Sequence, residues 1–442
     1  MLGDAEVRAA VEAASADGEF RLFASAWSGA LILAVDDGPA WRILLSCGAP
    51  GPVTAAVAAD GLASSELRVA APAATWDTVL RSPPPPMYTD MVGPSLTGQA
   101  RFDPGLPDAG ALSALRRMIE LLRHVRHKTD PAPQTAANLS RHGSHDQAVG
   151  RYVHLDLDGV DHRVYYEEAG AGIGLLCQHT AGADGRQWRH LLEDRRVTDR
   201  FRVIVYDLPY HGKSLPPESV AWWAREYRLT TASAMAVPVA LAGVLGLDRP
   251  VFMGSSIGGH LALDLAAHHR DEFRAVIALE AALKMPRNEA VFPSGPDLSD
   301  PARHAAVMMT LMAPQAPERY RHETRLHYAQ GAPGVFPGDT HYYFTDHDLR
   351  DQTWRFDTAR CPVHLLTGEY DAATVGRTLE AADRIAGSTV EIMTGLGHFP
   401  MSEDYPRLMT YVLPILDDLA SRRERVEHPT SAAGTGRAIT RR

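Results

Sequence analysis

The chain is expected to fold as an α/β protein, a mostly parallel sheet flanked by helices, with a smaller α+β domain ahead of it. Two observations carry this expectation. Short apolar runs suited to buried strands recur through the second part of the sequence, at 173–178, 203–206, 251–253, 275–279, 362–366 and 390–393. They end in loops that carry glycine or polar side chains. The second observation is the run Val251-Phe252-Met253-Gly254-Ser255-Ser256-Ile257-Gly258-Gly259-His260. It reads as a buried strand, a tight turn and the start of a helix that continues to His268.

From the N-terminus, residues 1–20 hold Asp4, Glu6, Glu12 and Asp17 and no apolar core, which excludes a signal peptide as the reading of this stretch. Residues 30–35, 41–46 and 66–70 read as strands, the first two separated by the turn Asp36-Asp37-Gly38. Residues 75–80 read as a short capped helix and 98–102 as a further extended segment. Residues 111–125 have helical spacing, with Leu112, Leu115, Ile119 and Leu122 on one face. The four prolines 83–86 are expected to form a stiff loop. These elements make residues 1–128 an α+β domain. Residues 129–150, rich in Pro, Ala, Gln, Ser and His, are expected to be a linker. The main domain is then 151–421, and 422–442, rich in Arg, Gly, Ser and Thr, a flexible tail.

The chemistry is expected at the strand ends. A Gly-x-Ser-x-Gly turn between strand and helix projects the central serine from the sheet edge, and Gly254 and Gly258 remove the Cβ atoms that would block so sharp a bend. Ser256 is that serine. The N–H of Ile257 then faces the helix N-terminus, where a developing oxyanion is stabilised. Asp371 follows the strand 362–366, and His398 follows the strand 390–393. In a parallel sheet all three side chains come to the same C-terminal edge, where ligands bind. His398 would take the Ser256 proton, and Asp371 would hold the imidazole and stabilise its charged form. Glu280, at the end of the run 275–279, is a rival for the acid.

These motifs resemble those of α/β-hydrolase-fold serine hydrolases over residues 153–419. The resemblance implies the chain order Ser, acid, His, which Ser256, Asp371 and His398 follow. It favours Asp371 over Glu280, in its Gly-Glu-Tyr-Asp context, and leaves Glu280 as an alternative acid or pocket residue. It implies a second oxyanion donor in the loop after the strand 173–178, where His179-Thr180-Ala181 stands in place of the His-Gly usual in the family. Ala181 N–H is the expected donor, and the Thr180 hydroxyl lies close to it, either restricting the loop or adding a hydrogen bond. The turn Asp207-Leu208-Pro209-Tyr210-His211-Gly212-Lys213-Ser214 matches another family motif, with Tyr210 replacing a glycine. The family also implies a helical cap at about 281–360, here rich in Met and aromatic residues, among them Met308, Met309, Met312, Tyr320, Tyr328, Tyr342, Tyr343 and Phe344, which suit an apolar pocket. The order of elements in residues 1–128 resembles sterol-carrier-type lipid-binding domains, which implies an apolar cavity between sheet and helices; the alternative is a packed α+β domain serving only dimerisation or docking.

Composition narrows the partners. The 442-residue chain carries a net charge of −10, which argues against a nucleic-acid or anionic-membrane surface. No apolar run reaches spanning length, and Cys47, Cys177 and Cys361 form no metal-type pair, so a cytoplasmic protein is expected. His341, Asp346, His347 and Asp348 fit no standard metal spacing. No metal and no cofactor are therefore expected. The reading is a cofactor-independent hydrolase of an ester, or a related acyl bond, of a hydrophobic small molecule. Thioester, lactone, amide and carbon–carbon bond cleavage stay open on the same triad. The competing class is a non-catalytic carrier of a hydrophobic ligand, and a homodimer is left open.

Overall fold

A computed structural model describes residues 2–25, 27–56, 65–105, 107–130, 143–287 and 300–427, with side chains to Ser421. The first sheet is built from β1 (Gly29–Val35), β2 (Ala40–Ser46), β3 (Ala49–Ala55), β4 (Glu66–Ala71) and β5 (Arg101–Asp103), in the order β3-β2-β1-β4-β5. The helices Asp4–Ala16, Gly18–Phe23 and Ala109–His127 cover it. Its core centres on Phe20, Leu31, Trp76, Leu115 and Ile119. The first helix follows the spacing i, i+3, i+4, i+7, since Val7, Ala10, Val11 and Ala14 are its buried residues. Strand β3 contains Pro50 and Pro52 and lies at the sheet edge, the place where a missing N–H is tolerated.

The second sheet has eight strands: β6 (Val149–Leu157), β7 (Val160–Ala169), β8 (Ile173–Gln178), β9 (Phe201–Tyr206), β10 (Val251–Ser255), β11 (Ala275–Leu279), β12 (Val363–Gly368) and β13 (Thr389–Met393). Their order is β13-β12-β11-β10-β8-β9-β7-β6. All pairings from β9 to β13 are parallel, and β7 pairs antiparallel with both β6 and β9. The expected α/β-hydrolase fold, with a smaller N-terminal unit of sheet and helices, is what the chain adopts. One face of the second sheet packs on the helices Thr231–Val244 and Ile257–His268, the other on Tyr405–Glu427.

Some boundaries differ from expectation. Strand β6 starts at Val149, inside the segment 129–150 read as linker, because its hairpin with β7 carries pairing back to Val149 opposite Glu168. The last helix runs to Glu427, past the expected end of the domain at 421. Residues 131–142 of the linker, 288–299 of the cap and 428–442 of the tail lie outside the described residues. No described helix is long and apolar enough to cross a membrane.

The two sheets are joined by more than the chain. Val92 and Leu112 of the N-terminal part are buried in the core cluster of the eight-stranded sheet. The cap helix Glu318–Ala329 meets the N-terminal helices through Arg117–Glu318 at 3.4 Å and Arg321–Glu120 at 2.9 Å. Arg325 lies 3.2 Å over the Phe23 ring.

Candidate active site

Ser256 sits where β10 ends and the helix Ile257–His268 begins, with φ of 59°. A left-handed serine is strained, and the surroundings over-determine it. Its N–H donates to Leu279 O at 3.0 Å, and its carbonyl accepts from His260 N at 2.9 Å. The turn is tight enough that a Cβ on Gly254 would stand 2.5 Å from the Gly258 carbonyl, and one on Gly258 would stand 2.9 Å from Gln178 O. Both motif glycines are thus required by close approach of backbone.

Asp371 follows β12 and His398 follows β13, both at the sheet edge that holds Ser256. His398 Nδ1 lies 2.6 Å from Asp371 Oδ2. With Asp371 fully buried, that contact fixes the ring orientation and leaves Nε2 for the cavity, which Ser256 and His398 both line. Burial alone lowers the His398 pKa, but the Asp371 carboxylate outweighs it and holds the imidazole above its ordinary value. Burial pushes Asp371 upward, and His398, Glu280 and Thr374 together bring it below the usual carboxylate range.

Glu280, the rival acid, lies at the end of β11 with φ of 53° and is fully buried. Its partners are Thr367 Oγ1 at 2.9 Å, Gly368 N at 2.8 Å and Thr374 Oγ1 at 3.0 Å; no hydrogen bond to His398 is found. Thr374 Oγ1 also hydrogen-bonds Asp371, so two carboxyl groups share one hydroxyl. Burial, and then the charge of Asp371, raise Glu280 well above its ordinary pKa. It stands behind Asp371, pushed toward its neutral form.

The loop after β8 brings Ala181 to the cavity that Ile257 also lines. Thr180 N–H is taken by Gln187 Oε1 at 3.0 Å, and the Thr180 hydroxyl reaches the same oxygen at 3.1 Å and Tyr328 OH at 2.5 Å. Thr180 therefore ties the loop to the cap. His179 is buried away from the cavity; its Nε2 accepts from Leu208 N at 3.1 Å, so Nδ1 donates to Thr180 O at 2.8 Å. Burial, with His211 beside it, lowers its pKa to about 4, and it stays neutral. Tyr210, where the family motif has a glycine, has a left-handed backbone, at φ of 75°.

Two residues that escaped the sequence reading hold these loops. Glu403 accepts from Gly397 N and, at 3.3 Å, from Phe399 N, the two residues flanking His398. Asp339 of the cap accepts from Gly182 N at 2.7 Å, His211 Nε2 at 2.8 Å and Tyr227 OH at 3.0 Å. The one available signal was an acidic residue close behind an apolar run, as Glu403 stands behind Phe399-Pro400-Met401.

The cavity measures about 360 Å³ and is walled by Met285, Met308, Tyr328, Phe336, Tyr343 and Phe344, among others. No Lys or Arg is among its described lining residues. Of the aromatic cap residues, Tyr342 turns away and donates to Asp264 Oδ2 at 2.6 Å. The His341–Asp348 stretch does not converge. His347 Nδ1 meets Asp264 at 2.9 Å, Asp346 accepts from Thr231 N at 2.5 Å, and Asp348 pairs with Arg350 at 2.6 Å. Among the described residues the one cluster with metal-ligand chemistry is Glu19, Glu318 and His322, and Arg116 and Arg117 already occupy its carboxylates.

A serine elbow on the central strand of this sheet, faced by a histidine and a carboxylate from later strand ends, defines the α/β hydrolases. Residues 175–409 match the Alpha/beta hydrolase family, a span of more than half the chain, and the chain belongs to that family. It is similar to a 2-hydroxy-6-oxononadienedioate/2-hydroxy-6-oxononatrienedioate hydrolase of Burkholderia vietnamiensis, 29% identical over 140 residues. That match covers 30% of this chain and 45% of the relative, less than half of its length. Among solved structures, a thermophilic esterase from Thermogutta terrifontis superposes with a TM-score of 0.53 at 20% identity, covering 61% of this chain and 99% of the esterase. The enol-lactonase from Burkholderia xenovorans gives 0.51 at 20% identity, covering 61% and 100%. At these identities the two structures show the shared fold.

Proposed function

We propose that the protein is a cofactor-independent serine hydrolase of an ester, or a related acyl bond, of an uncharged, apolar small molecule. The observation that carries this is the 2.6 Å His398–Asp371 contact beside the left-handed Ser256, at an apolar cavity. Ser256 Oγ attacks the carbonyl carbon as His398 Nε2 takes its proton. The oxygen charge that forms falls to the N–H groups of Ile257 and Ala181. The bond to the leaving alcohol then breaks, and His398 returns the proton to the alcohol oxygen, leaving an acyl-enzyme. Water repeats the sequence with the same base and frees the acid and Ser256.

The dienedioate in the relative's name is a dicarboxylate, which needs cationic partners. The described cavity wall supplies none. An uncharged ester or lactone fits it better. The reading does not depend on the N-terminal domain resembling a sterol carrier, since the part of that domain at this cavity is the segment 87–97, outside its sheet.

Labelling with a fluorophosphonate, followed by a panel of small esters, tests the proposal. Ser256→Ala is expected to lose labelling and to lose turnover on the order of a millionfold in kcat, while keeping the wild-type circular dichroism spectrum. A variant that still turned over near the wild-type rate would remove Ser256 from the reaction. An unlabelled, inactive wild type that binds apolar ligands would leave the carrier.

A further inference from the structure

The catalytic cavity is not walled by the eight-stranded domain alone. Met87, Thr89, Val92, Gly93, Leu96 and Thr97, all from the N-terminal domain, stand in the same wall as Ser256 and His398. The segment that carries them is held firmly. Asp90 accepts from Val92 N at 2.7 Å at the start of the short helix Val92–Leu96. A Cβ on Gly93 would stand 2.0 Å from Met87 O, so helix and preceding loop are in backbone contact. Buried Arg123 donates to Val79 O at 2.7 Å, to Tyr88 O at 3.2 Å and to Thr89 O.

The same segment is fastened to the other domain. Thr89 Oγ1 donates to Thr310 O of the cap at 3.2 Å, and Tyr370, the neighbour of Asp371, donates its hydroxyl to Pro84 O at 3.1 Å. Val92 is buried in the second domain's core, and the ion pairs Arg117–Glu318 and Arg321–Glu120 close the seam beyond it. Pulling the segment away would strip the buried Arg123 guanidinium of the Tyr88 and Thr89 carbonyls, which is costly. It is built as a fixed wall, not a swinging cover.

We propose that the 84–97 segment is a substrate-binding wall of the active site, so that the N-terminal domain sets which apolar group of the substrate is accepted. This rests on the reading of Ser256 as nucleophile. The wall offers the Met87 thioether, the Val92 and Leu96 alkyl groups and two threonines, and no charge. The substrate portion that touches it is therefore uncharged and apolar. The volume of about 360 Å³ lies at the lower end of the roughly 300–1,000 Å³ typical of small-molecule sites. A compact ester fits that volume.

Leu96 is 36% exposed, at the rim, so its replacement is tolerated by the fold. Full-length Leu96→Trp and Leu96→Ala are assayed against two series, p-nitrophenyl esters of lengthening acyl chain and acetates of widening alcohols. Fluorophosphonate labelling counts the active sites in each preparation. In at least one series, L96W is expected to lower the kcat/KM ratio of the largest to the smallest substrate at least tenfold, and L96A to raise it. Wild-type ratios in both series for both fully labelled variants would overturn the wall. A wild type that neither labels nor hydrolyses any ester overturns the nucleophile reading and the wall with it.

Discussion

Asp371→Asn separates the two carboxyl groups that crowd the base. The Asp371 oxygen 2.6 Å from His398 Nδ1 accepts the ring N–H and so leaves Nε2 unprotonated toward Ser256. An amide in that place presents an N–H of its own and favours the opposite tautomer. In a protease with the same triad that change costs about 10⁴-fold in kcat, or about 5 kcal/mol at 1.36 kcal/mol per tenfold. Glu280→Gln is a different change. Burial and then the Asp371 charge raise the Glu280 pKa well above the ordinary value, so a neutral amide replaces a group already pushed toward its neutral form. Its amide keeps an oxygen for Gly368 N–H. The expected cost is that of one hydrogen bond, about 1 kcal/mol, or roughly fivefold in kcat. The assay is kcat and kcat/KM for a p-nitrophenyl ester from pH 5 to 9, with the acid limb reporting the free-enzyme His398. Asp371 is what raises the His398 pKa against burial, so the residual D371N activity should show its acid limb at lower pH than wild type. E280Q should keep the wild-type limb. If E280Q lost more rate than D371N, the acid role would pass to Glu280 and the reasoning would fail.

Two further outcomes are expected. Burial raises the Glu403 pKa from 4.5 to about 7, against the backbone N–H groups it accepts from. The native state thus holds a proton that the unfolded chain has released, and stability falls as pH rises from about 4.5 through 7, by up to about 3 kcal/mol. In E403Q the urea midpoint should drop less between pH 5 and pH 8 than in wild type; an identical drop would refute the assignment. Dialysis against EDTA should leave ester hydrolysis unchanged, because the triad needs no added ion; loss of activity restored by Zn²⁺ would contradict this.

What the sequence determined by itself was local. The strand–turn–helix at Ser256 is dictated by backbone sterics, since nothing larger than hydrogen fits at Gly254 or Gly258. The apolar runs set the strands, and their parallel pairing sends Asp371 and His398 to the Ser256 edge. The same rules hid β3, whose prolines argue against a strand until its place at the edge is known. Tertiary structure decided what depends on contacts between distant residues. Glu280 and Asp371 end the adjacent strands β11 and β12, and only the turn after β12 swings one of them onto His398. The Glu403 clasp, the Asp339 knot and the Tyr370–Pro84 bond join segments whose spacing along the chain has no period to read. The wall from residues 84–97 is the extreme case. It lies more than 150 positions before Ser256, and no propensity or motif in it refers to the site it closes.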